Sequence, residues 1–433
     1  MKVFILNPLI YSKKKSIMNT RPRQPLDLAY IASLLLKRGH EIKFLDANVL
    51  KYDADKTISE IKAYNPDILI LTSSPVDRWE CPNSYIDSVF EIINKANIHP
   101  TILIGSHGSL TPEWIFKKCS VDFIVRNEPE IIVLNLVEAL AKKEDISKIR
   151  GVSYKIDRKV VNNEDASRIE NLDELPFPAY ELLPMDKYKY SSEDLSQPFS
   201  IMLTSRGCPF NCSFCLKTMS KDKYIVRSPK NVVEEIKHLV NNFKIKSIFF
   251  QDWEFTINKE RVEQICDSII NKGIKVLWGC NARANDLSEE LVEKMKKAGC
   301  ARINIGFESG SQKILDNINK GIKVEDLERA IKICRENNIN IGMYAMVNLP
   351  GENLRTIRET VKFLKRNKID SMTPNFPIPY FGTKIFEELK NKYKNKEFTW
   401  GNIENYAGRV KTRLNPKLSR FYYRVLNFMR KKS

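Results

Sequence analysis

The chain has 433 residues, 42% of them apolar, more than one hydrophobic core usually supports, so two domains plus appendages are expected. No apolar run approaches the roughly 20 residues that span a bilayer, which excludes an integral membrane protein, and the composition is not that of a disordered chain. The 71 Lys and Arg against 53 Asp and Glu leave a charge of +18, concentrated in residues 409–433, which carry nine basic residues and no acidic one.

Residues 1–145 alternate short β-rich runs, at 3–6, 42–45, 68–72, 102–104 and 123–125, with helical patterns. Residues 25–38 open on Pro25 and are followed by Gly39, the end-to-end asymmetry expected of a helix, and the whole series predicts a parallel sheet in an open α/β domain. Ligands of such sheets bind beyond the strand C-termini. The loops there hold Asn7, Ser73, Ser74, Gly105, Ser106, His107 and Glu128, small or polar groups suited to a large polar ligand. His40 precedes a strand and is expected to cap or pack.

Residues 146–195 read as a linker with a β-hairpin pattern from Gly151 and a proline-rich stretch, Leu175-Pro176-Phe177-Pro178. Over residues 196–385 strand and helix alternate again, with strands at 200–204, 247–250, 275–280, 302–306, 340–346 and 371–376, six units where a closed barrel has eight. Residues 386–433 form a basic, helical extension. In it Leu418, Phe421, Tyr422, Val425, Leu426 and Met429 recur at helical spacing, with Arg420, Arg424, Arg430, Lys431 and Lys432 at other positions. Docking of this stripe on its own domain is the expected role. Peripheral contact with an anionic membrane is the alternative, and no specific nucleic-acid contact is expected.

The chemistry is carried by Cys208, Cys212 and Cys215, three thiols within eight residues on a loop after an apolar stretch. A cubane iron–sulfur cluster normally takes four thiolates, so a compact set of three leaves one iron open to another ligand. A structural zinc site would need a second pair of ligands, and the nearest downstream histidine is His238. Cys81, Cys119, Cys266, Cys300 and Cys334 are scattered singly and read as packing residues, and Cys280 sits near a strand end. The odd total of nine cysteines, without paired extracellular spacings, points to a reduced, cytoplasmic protein.

The Cys-x3-Cys-x2-Cys loop, with Phe214 before its third cysteine, resembles the cluster-binding loop of the radical S-adenosylmethionine (SAM) enzymes. The resemblance implies a 4Fe-4S cluster on Cys208, Cys212 and Cys215, SAM on the open iron, and a partial (β/α)6 barrel in the second half. By position it also implies SAM contacts for Phe214, Asp252 and Glu254 in Gln251-Asp252-Trp253-Glu254-Phe255-Thr256, for Arg283, for Glu308 in Gly306-Phe307-Glu308-Ser309-Gly310, and for Asn348 in Asn348-Leu349-Pro350-Gly351-Glu352. Trp253, Asn348 and Phe381 depart from the usual residues at their places. The first half resembles the Rossmann-like cobalamin-binding domain of one radical SAM subfamily, which implies cobalamin held by Asn7, Ser73, Ser74, Gly105, Ser106, His107 and Glu128. The Asp-x-His-x-x-Gly motif that supplies a histidine to cobalt is missing; Asp46-Ala47-Asn48 stands near its place.

The implied activity is reductive cleavage of SAM to a 5′-deoxyadenosyl radical, with cobalamin-dependent methylation of an unactivated centre in a small-molecule or lipid-like substrate. Ferredoxin or flavodoxin is the implied electron donor. Two alternatives are radical cyclisation, oxidation or carbon–carbon coupling without methyl transfer, and a non-catalytic iron–sulfur sensor.

Overall fold

The computed structural model describes residues 1–10, 22–190, 194–220, 223–369, 372–409 and 414–430. Residue 371, Lys431 and Lys432 lie outside these, as do the side chains of Met429 and Arg430. The chain divides into two compact units: Met1–Ser191, with the short pieces Pro198–Ser200 and Lys217–Lys221, and the remaining residues.

In the first unit, β1 (Lys2–Asn7), β2 (Glu41–Asp46), β3 (Ile68–Thr72), β4 (Thr101–Ile104) and β5 (Phe123–Val125) coincide with the five expected runs. They lie in the order β2-β1-β3-β4-β5, all parallel, with helices such as Leu26–Lys37 as crossovers. Successive side chains of a strand point to opposite faces. Val3 and Ile5 therefore join Ile68, Ile70, Ile102 and Ile104 in one core, while Phe4 and Leu6 join Leu69, Leu71 and Leu103 in another. A sheet covered on both faces needs apolar residues at every position, which is why these strands read as unbroken apolar runs. The strand order reverses at β1, so the crevice beyond the C-terminal ends of β1 and β3 is where ligands of this architecture bind.

The hairpin expected at residues 146–195 forms and also joins the sheet. The hairpin of the supposed linker, β6 (Val152–Ile156) and β7 (Lys159–Asn162), is not free-standing: β6 pairs antiparallel with β5, making a mixed sheet of seven strands. Val152 and Tyr154 join the core on one face of that sheet, and burying them is what draws the hairpin onto the β5 edge.

The second half contains β8 (Phe199–Met202), the two-residue β9 (Ser205–Arg206) and β10 (Ile225–Val226), β11 (Ser247–Phe250), β12 (Leu277–Ala282), β13 (Cys300–Glu308), β14 (Asn340–Met346) and β15 (Met372–Asn375). All six expected units are present, in the order β15-β14-β13-β12-β11-β8, with parallel pairing from β11 through β15 and edges at β8 and β15. The helix Pro416–Arg430 packs on β15: Tyr422 and Leu426 are buried and Tyr423 stacks on Phe376 at 5.1 Å, while Phe421 is 64% exposed. Its described apolar stripe is thus docked on its own domain.

Candidate functional site

The cysteine loop leaves the sheet after β8 and is closed at its base. There β9 and β10 pair antiparallel and the Arg227 N–H donates to the Thr204 carbonyl at 2.9 Å. Asp252, just beyond β11, accepts from the Thr204 N–H at 2.6 Å and from the Ser205 hydroxyl at 2.7 Å. Arg261 donates to the carbonyls of Thr204 and Arg227 at 2.7 and 2.8 Å, and Arg227 forms a buried ion pair with Glu235. Asp252, expected among the SAM contacts, therefore commits both carboxylate oxygens to the loop base, because the adjoining backbone and hydroxyls of residues 204 and 205 present their donors to it.

Higher up, the loop is held at its middle. The Ser213 N–H donates to the Ile318 carbonyl and the Asn319 side chain donates to the Asn211 carbonyl, both at 2.9 Å, one on each side of Cys212. The Arg283 guanidinium lies 3.7 Å from the centroid of the Phe210 ring and donates to the Lys320 carbonyl, a cation–π stack that fixes both partners. Phe214 packs against Ile314, Ile318 and Leu349. Cys208 is buried, and Cys212 and Cys215 are half-buried. Among the described residues, no three Cys, His, Asp or Glu side chains are gathered in metal-ligating geometry.

Beside this loop, at the C-terminal strand ends, stands a set of buried polar atoms without partners: Glu254 Oε2, Glu308 Oε2, Arg283 Nε, Asn281 Oδ1 and Asn348 Oδ1. A buried polar atom left unsatisfied costs about 1–3 kcal/mol, so five at one end of a sheet mark a surface built to receive a polar ligand. Local structure aims three of them. Phe255 stacks on Phe250 at 4.6 Å and pins the segment that carries Glu254. Glu308 ends β13 at a register shift with φ +57°, a bulge that turns its side chain. Asn348 sits at φ +68°, where asparagine is among the few side chains tolerated, and its N–H donates to Glu352 Oε2 at 2.6 Å.

Lys320 and Asn281 are the residues of this site that sequence reasoning missed, and Lys320 is the charged one. It is 5% exposed, and its ammonium pairs with Glu308 Oε1 at 3.0 Å. Burial works against its charge, but Glu308, Glu254 and Cys212 together outweigh that and hold it well above the usual lysine range. A Cβ on Gly306 would press on the Lys320 ammonium, and glycine leaves it room. Burial pushes Glu254 up to about 7 and Glu352 up to about 8. Cys212 is raised by burial, with Lys320 and Arg283 acting in the opposite sense.

In the first unit, the loops after β3 and β4 are tied into one knot. His107 Nδ1 meets the Ser73 hydroxyl at 3.0 Å, its Nε2 meets the Asn83 carbonyl at 2.8 Å, and the Ser106 N–H donates to the Ser74 hydroxyl at 2.8 Å. Gly105, at φ +109°, lies where a Cβ would be 2.9 Å from atoms of both serines, so only glycine allows the knot. Burial lowers His107 to about 4, which keeps it neutral. Asn7 and Glu128 are committed elsewhere: Asn7 donates to Asp46 at 2.9 Å, and Glu128 pairs with Arg168 at 2.9 Å and accepts from the Ile169 N–H. The other histidines are engaged too, His40 with Glu138, His99 with Asp122 and His238 with Asn242. Asp27, in the first turn of the helix Leu26–Lys37, is fully buried with neither carboxylate oxygen hydrogen-bonded, and burial, with Glu130 and Asp77 nearby, pushes it up to about 7.

Comparison with known proteins places both halves. The Radical SAM superfamily matches residues 202–364, and the B12 binding domain matches residues 23–137. An uncharacterized methyltransferase of Pyrococcus horikoshii is 33% identical, over 89% of this chain and 83% of its own length. The anaerobic magnesium-protoporphyrin IX monomethyl ester cyclase of Rubrivivax gelatinosus is 30% identical, over 92% of this chain and 72% of its own. The fold is that of the radical SAM methyltransferase TsrM from Kitasatospora setae, solved with cobalamin and a [4Fe-4S] cluster: TM-score 0.72, 19% identity, 92% of this chain and 76% of that one. The chain belongs to the radical SAM superfamily, in its branch with an N-terminal B12-binding domain, enzymes whose cofactors are a 4Fe-4S cluster, SAM and cobalamin.

Proposed function

We propose that the protein is a cobalamin-dependent radical SAM methyltransferase acting on an unactivated centre of a small-molecule substrate. The observation that carries the reading is a three-thiol loop beside five unpartnered buried polar atoms, in one chain with a B12-binding domain. With its cofactors bound, such an enzyme splits SAM with one electron, abstracts hydrogen from the substrate and supplies the methyl group from cobalamin.

The donor sets fit these groups. Cys208, Cys212 and Cys215 supply soft thiolates for iron and leave one coordination position for SAM. SAM is a zwitterion on an adenosine, and the adjacent residues complement it: the Arg283 and Lys320 cations suit its carboxylate, Glu254 and Glu308 its ammonium and ribose hydroxyls, and Asn281 and Asn348 the remaining polar edges. Phe214 anchors the loop while lying beside the strand-five turn. For cobalamin, the knot of Ser73, Ser74, Gly105, Ser106 and His107 makes a compact floor, and Asp27 retains acceptors for the amide side chains of a corrin. Because both ring nitrogens of His107, the histidine of this knot, are engaged, cobalamin would be held without its imidazole on cobalt. Asn7 and Glu128, held by Asp46 and Arg168, stand apart from that floor in other segments of the same unit.

The test is anaerobic reconstitution with iron, sulfide and hydroxocobalamin, then SAM and a one-electron donor, dithionite or flavodoxin. The reading expects 5′-deoxyadenosine and S-adenosylhomocysteine together; absence of the nucleoside overturns it. A second reading, radical cyclisation or oxidation without methyl transfer, is favoured by the cyclase relative, which spans 92% of this chain. It expects 5′-deoxyadenosine with no S-adenosylhomocysteine and a product of unchanged carbon count.

A further inference from the structure

The connection Ile318–Lys320 is bonded to the cysteine loop. Its Ile318 carbonyl and Asn319 side chain bond to Ser213 and Asn211, the immediate neighbours of Cys212. The next residue, Lys320, turns its ammonium inward to Glu308 rather than outward to water. Its backbone carbonyl is fixed by Arg283, which is stacked on Phe210 of the same loop. A long cationic side chain is thus anchored at both ends, in a site with almost no solvent, with its backbone strapped to the residues around a cluster-binding cysteine.

We propose that Lys320 sets the reduction potential of the cluster bound by this loop. The inference rests on the reading of Cys208, Cys212 and Cys215 as cluster ligands. A 4Fe-4S core on three thiolates gains one negative charge when it accepts an electron from flavodoxin or dithionite. A fixed positive charge nearby stabilises the reduced form more than the oxidised form and raises the potential. Burial makes that effect larger than it would be for a surface lysine, since neither solvent nor salt screens it well. Glu308 opposes it. The pair therefore works as an adjustable dipole whose positive end is strapped to the loop.

The experiment is an EPR-monitored redox titration of the reconstituted protein without SAM, with iron and sulfide measured in each sample. Lys320→Met is expected to keep its iron and to show at least a tenfold smaller ratio of reduced to oxidised cluster at a fixed potential, a fall of about 59 mV for a one-electron couple. Lys320→Arg is expected to retain the parent potential, and Glu308→Gln to raise it. An unchanged potential in Lys320→Met at full iron content overturns the proposal. If Lys320→Met fails to load iron, Glu308→Gln decides: a raised potential supports the proposal and an unchanged one overturns it. A parent protein that binds no cluster overturns the underlying reading, and the inference with it, so the two failures are told apart by the iron and sulfide content.

Discussion

Arg227 and Glu235 show what single side chains do in this molecule. Both are almost fully buried, and the arginine also donates to the Leu203 carbonyl at 2.7 Å. Removing one partner strands the other charge, so Arg227→Met is expected to cost roughly 3–5 kcal/mol, seen as a lower urea midpoint, whereas a loss under 1 kcal/mol would show the pair to be dispensable. Asp27 gives the opposite sign. Its folded carboxyl titrates near about 7 against an ordinary 3.8, mainly through burial, so the protonated form is favoured on folding. That contribution is complete below about pH 4 and is lost as pH rises through about 7. Asp27→Asn should therefore stabilise the protein at pH 8, by up to ~4 kcal/mol, and bring no gain at pH 4. Equal shifts in melting temperature at both pH values would refute the assignment. Neither residue stands out in the sequence, because an arginine or aspartate at a helix start reads as an ordinary surface group until tertiary packing buries it. Lys320 escaped notice for the same reason, between Asn319 and Gly321 in what looks like a solvated turn.

Among the elements, those made by local pattern were legible and those made by long-range pairing were not. The apolar runs of β1, β3 and β4 announce a sheet covered on both faces, and the spacing of Cys208, Cys212 and Cys215 announces its own chemistry. The two-residue β9 and β10 carry no periodicity to detect, yet they close the loop that matters most. The hairpin β6–β7 was visible as a hairpin, but its attachment to β5 depends on an edge distant in sequence. The terminal helix shows how one amphipathic stripe admits two geometries, and here Tyr422, Tyr423 and Leu426 turn to the protein. Deleting residues 409–433 is expected to lower the melting temperature by several degrees through exposure of Phe376 and β15, and to leave binding to anionic vesicles unchanged. Loss of vesicle binding with an unaltered melting temperature would make the helix a membrane element instead.

For the whole molecule, two compact units with separate cores imply separate responses to ligands. A ligand that binds only the folded state stabilises it by about 2.7 kcal/mol at one hundred times its dissociation constant. Hydroxocobalamin is therefore expected to protect amides of β1, β3 and β4 from hydrogen exchange, and iron with sulfide to protect those of β11 to β13. Protection of neither set would argue against the proposed cofactor assignments. The order of domains and the cluster loop were readable from the chain. The proposed SAM contacts were readable only as segments, since Glu254 and Glu308 keep an unpartnered oxygen while Asp252, two residues from Glu254, is spent on the loop base.

The footing of the cysteine loop, built from Asp252, Arg227, Arg261 and the β9–β10 pair, contains no sulfur ligand at all. Air that strips the iron would consequently leave its socket standing, and recovery would call for fresh metal and sulfide rather than a newly made polypeptide. For an oxygen-sensitive catalyst, that turns inactivation into a matter of repair.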